Sequence, residues 1–291
     1  MPRHPKRPVR SADSLLETLV ARIDARSSAE VASDTVPTGF ASVDRVLGGG
    51  MRRQDLIVLA GDVGSGKSAL ALRIAMRAAG AGIPSMYFSG EMTPERVLER
   101  ALAVEGRAAI DDLRSGKLDD ATRATVGAAA VRLRPQPLVV RPLAGARFEE
   151  ISDSADIVPR RQLLIVDSLQ LTAPPRMVSR LQERVASSIR ALKALAMERD
   201  LVVLVTTQLA HHRADRPDPR PMLDDLGGLG AIKQNADVIL MLYREEMYRP
   251  GQGVEGAAEL IVAKNRNGVS GFVDLYFYPR WLRFVDMLDA D

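Results

Sequence analysis

The segment GDVGSGKS at residues 61–68 meets the pattern G-x-x-x-x-G-K-[ST]. Small residues there let successive backbone N–H groups wrap an anion, and a helix opening at the end of the segment adds its positive pole. Gly61, Asp62, Val63, Gly64, Ser65, Gly66, Lys67, Ser68 and Ala69 are therefore the candidate nucleotide-binding residues. In such a loop the lysine, Lys67, reaches the β- and γ-phosphates, and the hydroxyl of Ser68 ligates Mg2+. Lys67 is expected to face solvent. The flanks suit this chemistry, because the apolar run DLIVLA precedes the loop and the helical pattern SALALRIAMRAA follows it.

Other polar residues stand where an apolar run ends. LLIVD at 163–167 closes on Asp167, which a buried strand would carry to the phosphate edge to hold Mg2+ through water. Glu91 follows SMYFSG, whose strand is expected beside that of the phosphate loop, and a carboxylate there can orient and deprotonate an attacking water. An acid just ahead of TPE also suits the start of a helix. Gln208 ends LVVLVTTQ and could sense the γ-phosphate, or be a strand-terminal side chain in water. Lys264, Arg266 and Asn267 form a basic turn in AKNRNG, a pattern that on spacing alone is most often a solvated hairpin tip.

The charge balance sharpens the view of the lysines. Of 40 basic residues only six are lysine, so Lys67 and Lys264 survive in a chain that strongly prefers arginine. Lysine is a compact point charge and arginine a planar fork, so the two do not exchange freely at a phosphate. Arg3, Lys6, Arg7 and Arg10 lie in the first ten residues; the remaining 36 basic residues are balanced by 37 acids. A basic, proline-rich tail therefore precedes a near-neutral body. Such a tail can touch nucleic acid, but a short one reads first as a solubilising terminus.

The elements that must position these groups alternate. Residues 11–30 place Leu15, Leu16, Leu19, Val20 and Ile23 at helical spacing, and VASDTVPTG reads as a linker. Beyond it, strands are expected at 55–61, 85–90, 137–142, 162–168 and 201–208, with helices at 66–81, 94–105, 119–133, 147–158 and 179–199. Strands at 237–244, 258–265, 272–278 and 281–286 then follow one another. The fold class is α/β, a mainly parallel sheet with helices on both faces and an antiparallel C-terminal extension. Residues 1–37 form a tail, helix and linker, and 38–291 one domain. The stretch 209–222, polar and proline-rich, reads as a loop.

Composition excludes several classes. With no cysteine, there is no disulfide scaffold, thiol nucleophile, thiolate zinc site or iron–sulfur cluster. His4, His211 and His212 are too few and too scattered for a multi-histidine metal centre. No apolar run reaches membrane-spanning length and no secretory signal is read, so a soluble, cytoplasmic protein is expected.

Taken in order, TGFASVDRVLGGG, GDVGSGKS, YFSGEMTPERVLERALA, LLIVDSLQL, VTTQL, DLGGLGAIKQNADVI, YREEMY and AKNRNG resemble the C-terminal motor of the replicative DNA helicase (DnaB) family, from about Thr38 onward. The resemblance implies a RecA-like ATPase core that binds ATP and Mg2+, forms six-membered rings and translocates on single-stranded DNA. It makes Glu91 the base and Gln208 the coupling residue, and it sends Lys264 and Arg266 into the neighbouring subunit's ATP. A loader and a primase are the implied partners. Ahead of the motor only the helix at 14–26 is read in place of the family's amino-terminal domain. The family's DNA-facing loop, usually D-L-R-E-S-G, here runs from Asp225 through Gly227, Gly228 and Leu229 to Gly230. Its glycines could offer DNA backbone N–H groups. With aromatics at 4%, DNA would be held by its phosphates rather than by extensive stacking. The phosphate loop and the preceding LGGG also resemble RadA and KaiC ATPases of recombination and regulation. A non-translocating loading partner is the third reading.

Overall fold

The computed structural model describes residues 11–27, 34–143, 148–157, 163–172, 180–210, 216–251 and 253–288. The basic stretch 1–10, residues 28–30 at the end of the expected helical segment, residues 31–33 of the expected linker, and His211 and His212 in the proline-rich loop lie outside them. Residues 1–34 and 35–291 are separate compact units.

In the first unit, α1 (Ala12–Ser27) is the expected helix. Leu15, Leu16, Leu19, Val20 and Ile23, at helical spacing, are all about half exposed. The second unit opens with β1 (Thr35–Val36), α2 (Ala41–Val46), β2 (Met51–Arg52), β3 (Leu56–Gly61) and α3 (Lys67–Gly80). It continues through β4 (Ser85–Ser89), α4 (Pro94–Gly106), α5 (Ile110–Ser115), α6 (Asp120–Leu133), β5 (Leu138–Pro142) and α7 (Phe148–Ile157). Then come β6 (Leu163–Asp167), α8 (Leu181–Arg199), β7 (Val202–Gln208), α9 (Ala231–Asn235) and β8 (Val238–Tyr243). The strands β9 (Ala257–Asn265), β10 (Gly271–Tyr278) and β11 (Arg283–Asp286) complete it.

The nine longer strands form one sheet in the order β11-β10-β9-β8-β3-β7-β6-β4-β5. From β5 to β8 every pairing is parallel, and β9, β10 and β11 extend the sheet antiparallel. The expected fold class is therefore found, with one refinement: β8 still runs parallel to β3, so the antiparallel part begins at β9. Two-residue periodicity sends Leu56, Val58 and Ala60 of β3 into a core with α8 and α9, and Ile57 and Leu59 into another with α3. Burial on both faces explains why these strands read as unbroken apolar runs.

Thr35 and Val36, read as linker, instead pair with Arg52 and Met51 in a small hairpin-like sheet. The short helices α2, α5 and α9 were not expected either. Two of the longer ones, α4 and α6, carry ordinary start signals. Thr93 accepts the Arg96 N–H at 3.4 Å ahead of Pro94, and Asp119 accepts the Thr122 N–H at 2.7 Å. Among the described residues no helix is long and apolar enough to cross a membrane.

Candidate functional site

The site lies at the carboxyl edge of the parallel strands, where β3 sits between β7 and β8 while its own successor β4 lies further along the sheet. Crevices form where strand order departs in this way. The phosphate loop joins β3 to α3. Gly66 caps the helix at φ +100°, a left-handed conformation that glycine adopts without strain. A Cβ at Gly66 would also lie 2.9 Å from the Phe284 ring of β11, so the loop rests directly on the last strand.

Lys67 is not solvent-facing as expected. It is the first residue of α3, 8% exposed, and its Nζ donates to the Asp62 carbonyl at 2.7 Å. Burial pushes its ammonium pKa down, against the pull of the Asp167, Asp62 and Glu91 carboxylates. The loop curls over its own lysine because small residues leave room for the side chain to fold back. The buried Ser65 hydroxyl has no hydrogen-bond partner, a polar atom left for a ligand.

Asp167, at the end of β6, is 3% exposed and held from three sides. Its Oδ1 accepts the hydroxyls of Thr206, at 2.5 Å, and Ser68, at 3.1 Å; its Oδ2 accepts the Tyr87 hydroxyl at 2.6 Å. Burial, reinforced by the Asp167 charge, pushes the Tyr87 phenol well above its usual pKa and keeps it a donor. Neither Tyr87 nor Thr206 was singled out in the sequence. Thr206 stands in the VTTQ stretch, but nothing in one strand says which acid its neighbour presents.

Glu91 is exposed, in the bend after β4, and faces the same cavity. Its strand is not the neighbour of β3: β7 and β6 intervene. They are the strands that deliver Gln208 and Asp167, so the four ends still converge. Gly90 makes this possible. Its N–H donates to the Asp167 carbonyl at 2.6 Å, and a Cβ there would meet Leu171 Cδ1 at 2.6 Å.

The cavity measures about 390 Å³ and is lined by Lys67, Ser68, Glu91, Asp167 and Gln208 together with Arg100 and Arg244. Val63, Gly64, Gly66 and Ala69 also line it, and Phe277, Pro279 and Leu282 add apolar surface. Arg244 was missed as a site residue although it stands in the quoted YREEMY. It donates to the Gly64 carbonyl at 3.2 Å, pairs with Glu246 and stacks 4.3 Å over Phe277. The position of β8 beside β3, which puts Arg244 at the loop, is not visible in residue spacing.

Lys264 and Arg266 do not line this cavity. They lie at the other end of the strands, near the start of β3 and β8. Lys264 Nζ donates to the carbonyls of Lys233 and Ala236, both at 2.6 Å, and burial lowers its pKa. Arg266 Nη1 donates to Asp237 Oδ1 at 2.8 Å, with the side chain 52% exposed.

In the glycine-rich loop, Gly228 is buried and its N–H donates to the Gln182 carboxamide of α8. A Cβ at Gly227 would come within 3.0 Å of Ala210, and one at Gly228 within 2.8 Å of Val185. Close packing accounts for these two glycines, and the Gly228 N–H is already engaged. Gly230, at φ +77°, precedes α9, with Leu229 71% exposed beside it.

Ser68 and Asp167 supply two hard oxygen donors, and no cluster of three or more His, Cys, Asp or Glu that could hold a metal occurs among the described residues. That donor set fits Mg2+, which takes one or two protein oxygens and fills its shell with phosphate and water, and it does not fit an all-protein cage.

The family model for the DnaB-like helicase C terminal domain matches residues 35–286. The replicative DNA helicase DnaB of Leifsonia xyli subsp. xyli is 33% identical over 272 residues, 92% of this chain and 59% of that protein. That of Geobacillus stearothermophilus is 32% identical over 257 residues, 87% of this chain and 56% of that protein. The chain thus spans a little over half the length of these relatives. A solved ATPase domain superposes with a TM-score of 0.87 at 26% identity, covering 96% of this chain and 100% of that one. A solved DnaB-like replicative helicase, described with its interactions with primase, gives 0.85 at 26%, covering 96% of this chain and 68% of that one.

Proposed function

Because the chain belongs to the DnaB-like helicase C-terminal domain family, we propose that it is the ATP-hydrolysing motor of a ring-forming replicative helicase that translocates on single-stranded DNA. The observation that carries this reading is the convergence of Lys67, Ser68, Asp167, Glu91 and Gln208 on one cavity at the carboxyl edge of the sheet. The recombination, regulatory and loading alternatives lack comparable support, since both relatives named above are replicative helicases.

In this mechanism the phosphate-loop N–H groups and the start of α3 hold the phosphates, and Lys67 leaves the Asp62 carbonyl to meet the γ-phosphate. Ser68 and Asp167 hold Mg2+, which when bound offsets the charge on the transferring phosphoryl group. Thr206 and Tyr87 fix the Asp167 carboxylate so that it need not reorganise. Glu91, on the exposed side of the cavity, takes the proton of the attacking water. Gln208 senses the γ-phosphate at the end of β7. Phe277, Pro279 and Leu282 form an apolar wall suited to the nucleoside.

In this reading Arg266 acts in trans. Five steps along β3 separate the start of that strand from the phosphate loop, roughly 17 Å at strand spacing. A neighbour's arginine at the phosphates would couple hydrolysis to ring geometry. The exposed apolar stripe of α1 gives a ring a second contact, on the adjacent subunit. A six-membered ring, a loader and a primase complete the family reading.

The test is ATP hydrolysis with and without single-stranded DNA, on the wild type and on Lys67→Ala. DNA stimulation and loss of nearly all activity in the variant are expected. Substantial hydrolysis by folded Lys67→Ala would overturn the site, and absence of stimulation would overturn the motor.

A further inference from the structure

Around Arg266, at the amino edge of the sheet, lies a cluster whose other members take no part in the mechanism above. Asp237 stands immediately before β8, with its side chain 3% exposed. A carboxylate buried this deeply must have its charge met by partners, and here each oxygen has its own. Oδ2 accepts the Lys193 ammonium at 2.6 Å and the Leu56 N–H at 2.8 Å. Oδ1 accepts Arg266 Nη1 at 2.8 Å. The Asp237 carbonyl also accepts the Arg266 N–H at 2.8 Å, so one residue grips both backbone and guanidinium of Arg266.

The next residue of the turn is fixed as well. Asn267 Nδ2 donates to Asp55 Oδ2 at 2.5 Å, just ahead of β3. The turn is the exposed tip between β9 and β10, yet it hangs from the start of β3 and β8, two central strands. Half of the Arg266 side chain still faces outward.

We propose that Asp237 is the positioning residue for Arg266: it holds the guanidinium aimed away from its own subunit, at the ATP of the next one. The proposal rests on the reading that Arg266 acts in trans. The division of partners between the two oxygens supports it. Lys193 and the Leu56 N–H neutralise and seat the carboxylate, which leaves Oδ1 to orient the arginine.

Asp237→Asn keeps the shape and removes the charge. Its expected effect is a loss of kcat of roughly ten- to a hundredfold, the cost of misplacing a catalytic group by about an ångström, with ATP affinity unchanged. The decisive measurement mixes subunits in rings that exchange them. Asp237→Asn subunits have an intact phosphate loop, and Lys67→Ala subunits have an intact arginine with its anchor. Mixed rings should recover part of the hydrolysis, as should mixtures of Arg266→Ala with Lys67→Ala.

Recovery in the arginine mixture without recovery in the Asp237 mixture overturns the positioning role and leaves the trans reading standing. No recovery in either overturns both. Lys193→Gln breaks the other side of the same carboxylate and should lower the melting temperature, while kcat falls less than in Asp237→Asn because the Oδ1 bond to Arg266 remains. An equal fall in kcat would make the whole cluster merely structural and overturn the proposal. If Asn at 237 prevents folding, Asp237→Glu keeps the charge toward Lys193 but displaces the guanidinium by one methylene, and the same mixing result is expected.

Discussion

Replacing Tyr87 with Phe removes one oxygen from the centre of the molecule and nothing else. The ring is fully buried in β4, so its packing survives, and the loss falls on the 2.6 Å bond to Asp167 Oδ2. A hydrogen bond to a charged group contributes about 1.5–3 kcal/mol. The other oxygen keeps Thr206 and Ser68, so the lower half of that range is expected. At about 2–4 °C per kcal/mol for a domain of this size, the midpoint should fall by about 3–9 °C. A double-mutant cycle isolates the bond. In an Asp167→Asn background the same Tyr87→Phe change should cost at least ~1 kcal/mol less than in the wild type. The function should follow, because freeing a ligand's orienting partner typically weakens metal affinity or activity by roughly 10–100-fold. More Mg2+ should thus be needed for half-maximal hydrolysis. If the two substitutions add to within ~0.5 kcal/mol, the residues are not coupled. The account of Asp167 as a carboxylate fixed in advance then fails.

Glu91→Gln should leave nucleotide binding intact and slow turnover by roughly a hundredfold or more, because the amide keeps the shape but cannot accept a proton. An equal loss of affinity and rate, measured by nucleotide titration and steady-state hydrolysis, would make Glu91 a binding residue instead. Deleting residues 1–30 removes the α1 stripe and should lower the oligomer mass seen by light scattering; an unchanged mass would deny α1 a part in assembly.

What could be seen in the sequence was local or periodic. GDVGSGKS announced its chemistry because an anion cradle needs small residues in one short run. The central parallel strands β3, β4, β6, β7 and β8 showed because burial on both faces makes them largely apolar runs. Neighbourhood across the sheet did not show. The strand carrying Glu91 is separated from β3 by β6 and β7, and no feature of SMYFSG encodes that. The same blindness hid Tyr87, Thr206 and Arg244, whose roles depend on which strand lies alongside. Lys67 read as solvent-facing because a loop lysine usually is; only the curl of the loop toward the Asp62 carbonyl buries it. Gly227 and Gly228 looked like open backbone because a sequence does not display α8 pressing on them.

The rest of the phosphate loop on Phe284 sets a timetable for the newborn chain. Ring contacts at 4.5 Å join Phe284 to Phe277, and the Ser42 N–H near the other end of the domain donates to Asp286 at 2.6 Å. The floor beneath Gly66 and the apolar wall of the cavity thus come from residues 277–286, which a ribosome makes long after the loop itself. At about 5–20 residues per second, roughly 10–40 s separate the two. The loop sequence therefore leaves the ribosome before the surface that shapes it has been made. The apolar side of the cavity is complete only when β10 and β11 arrive. A chain stalled in β9 would carry every residue of the loop and lack Phe277, Pro279, Leu282 and Phe284 beside it.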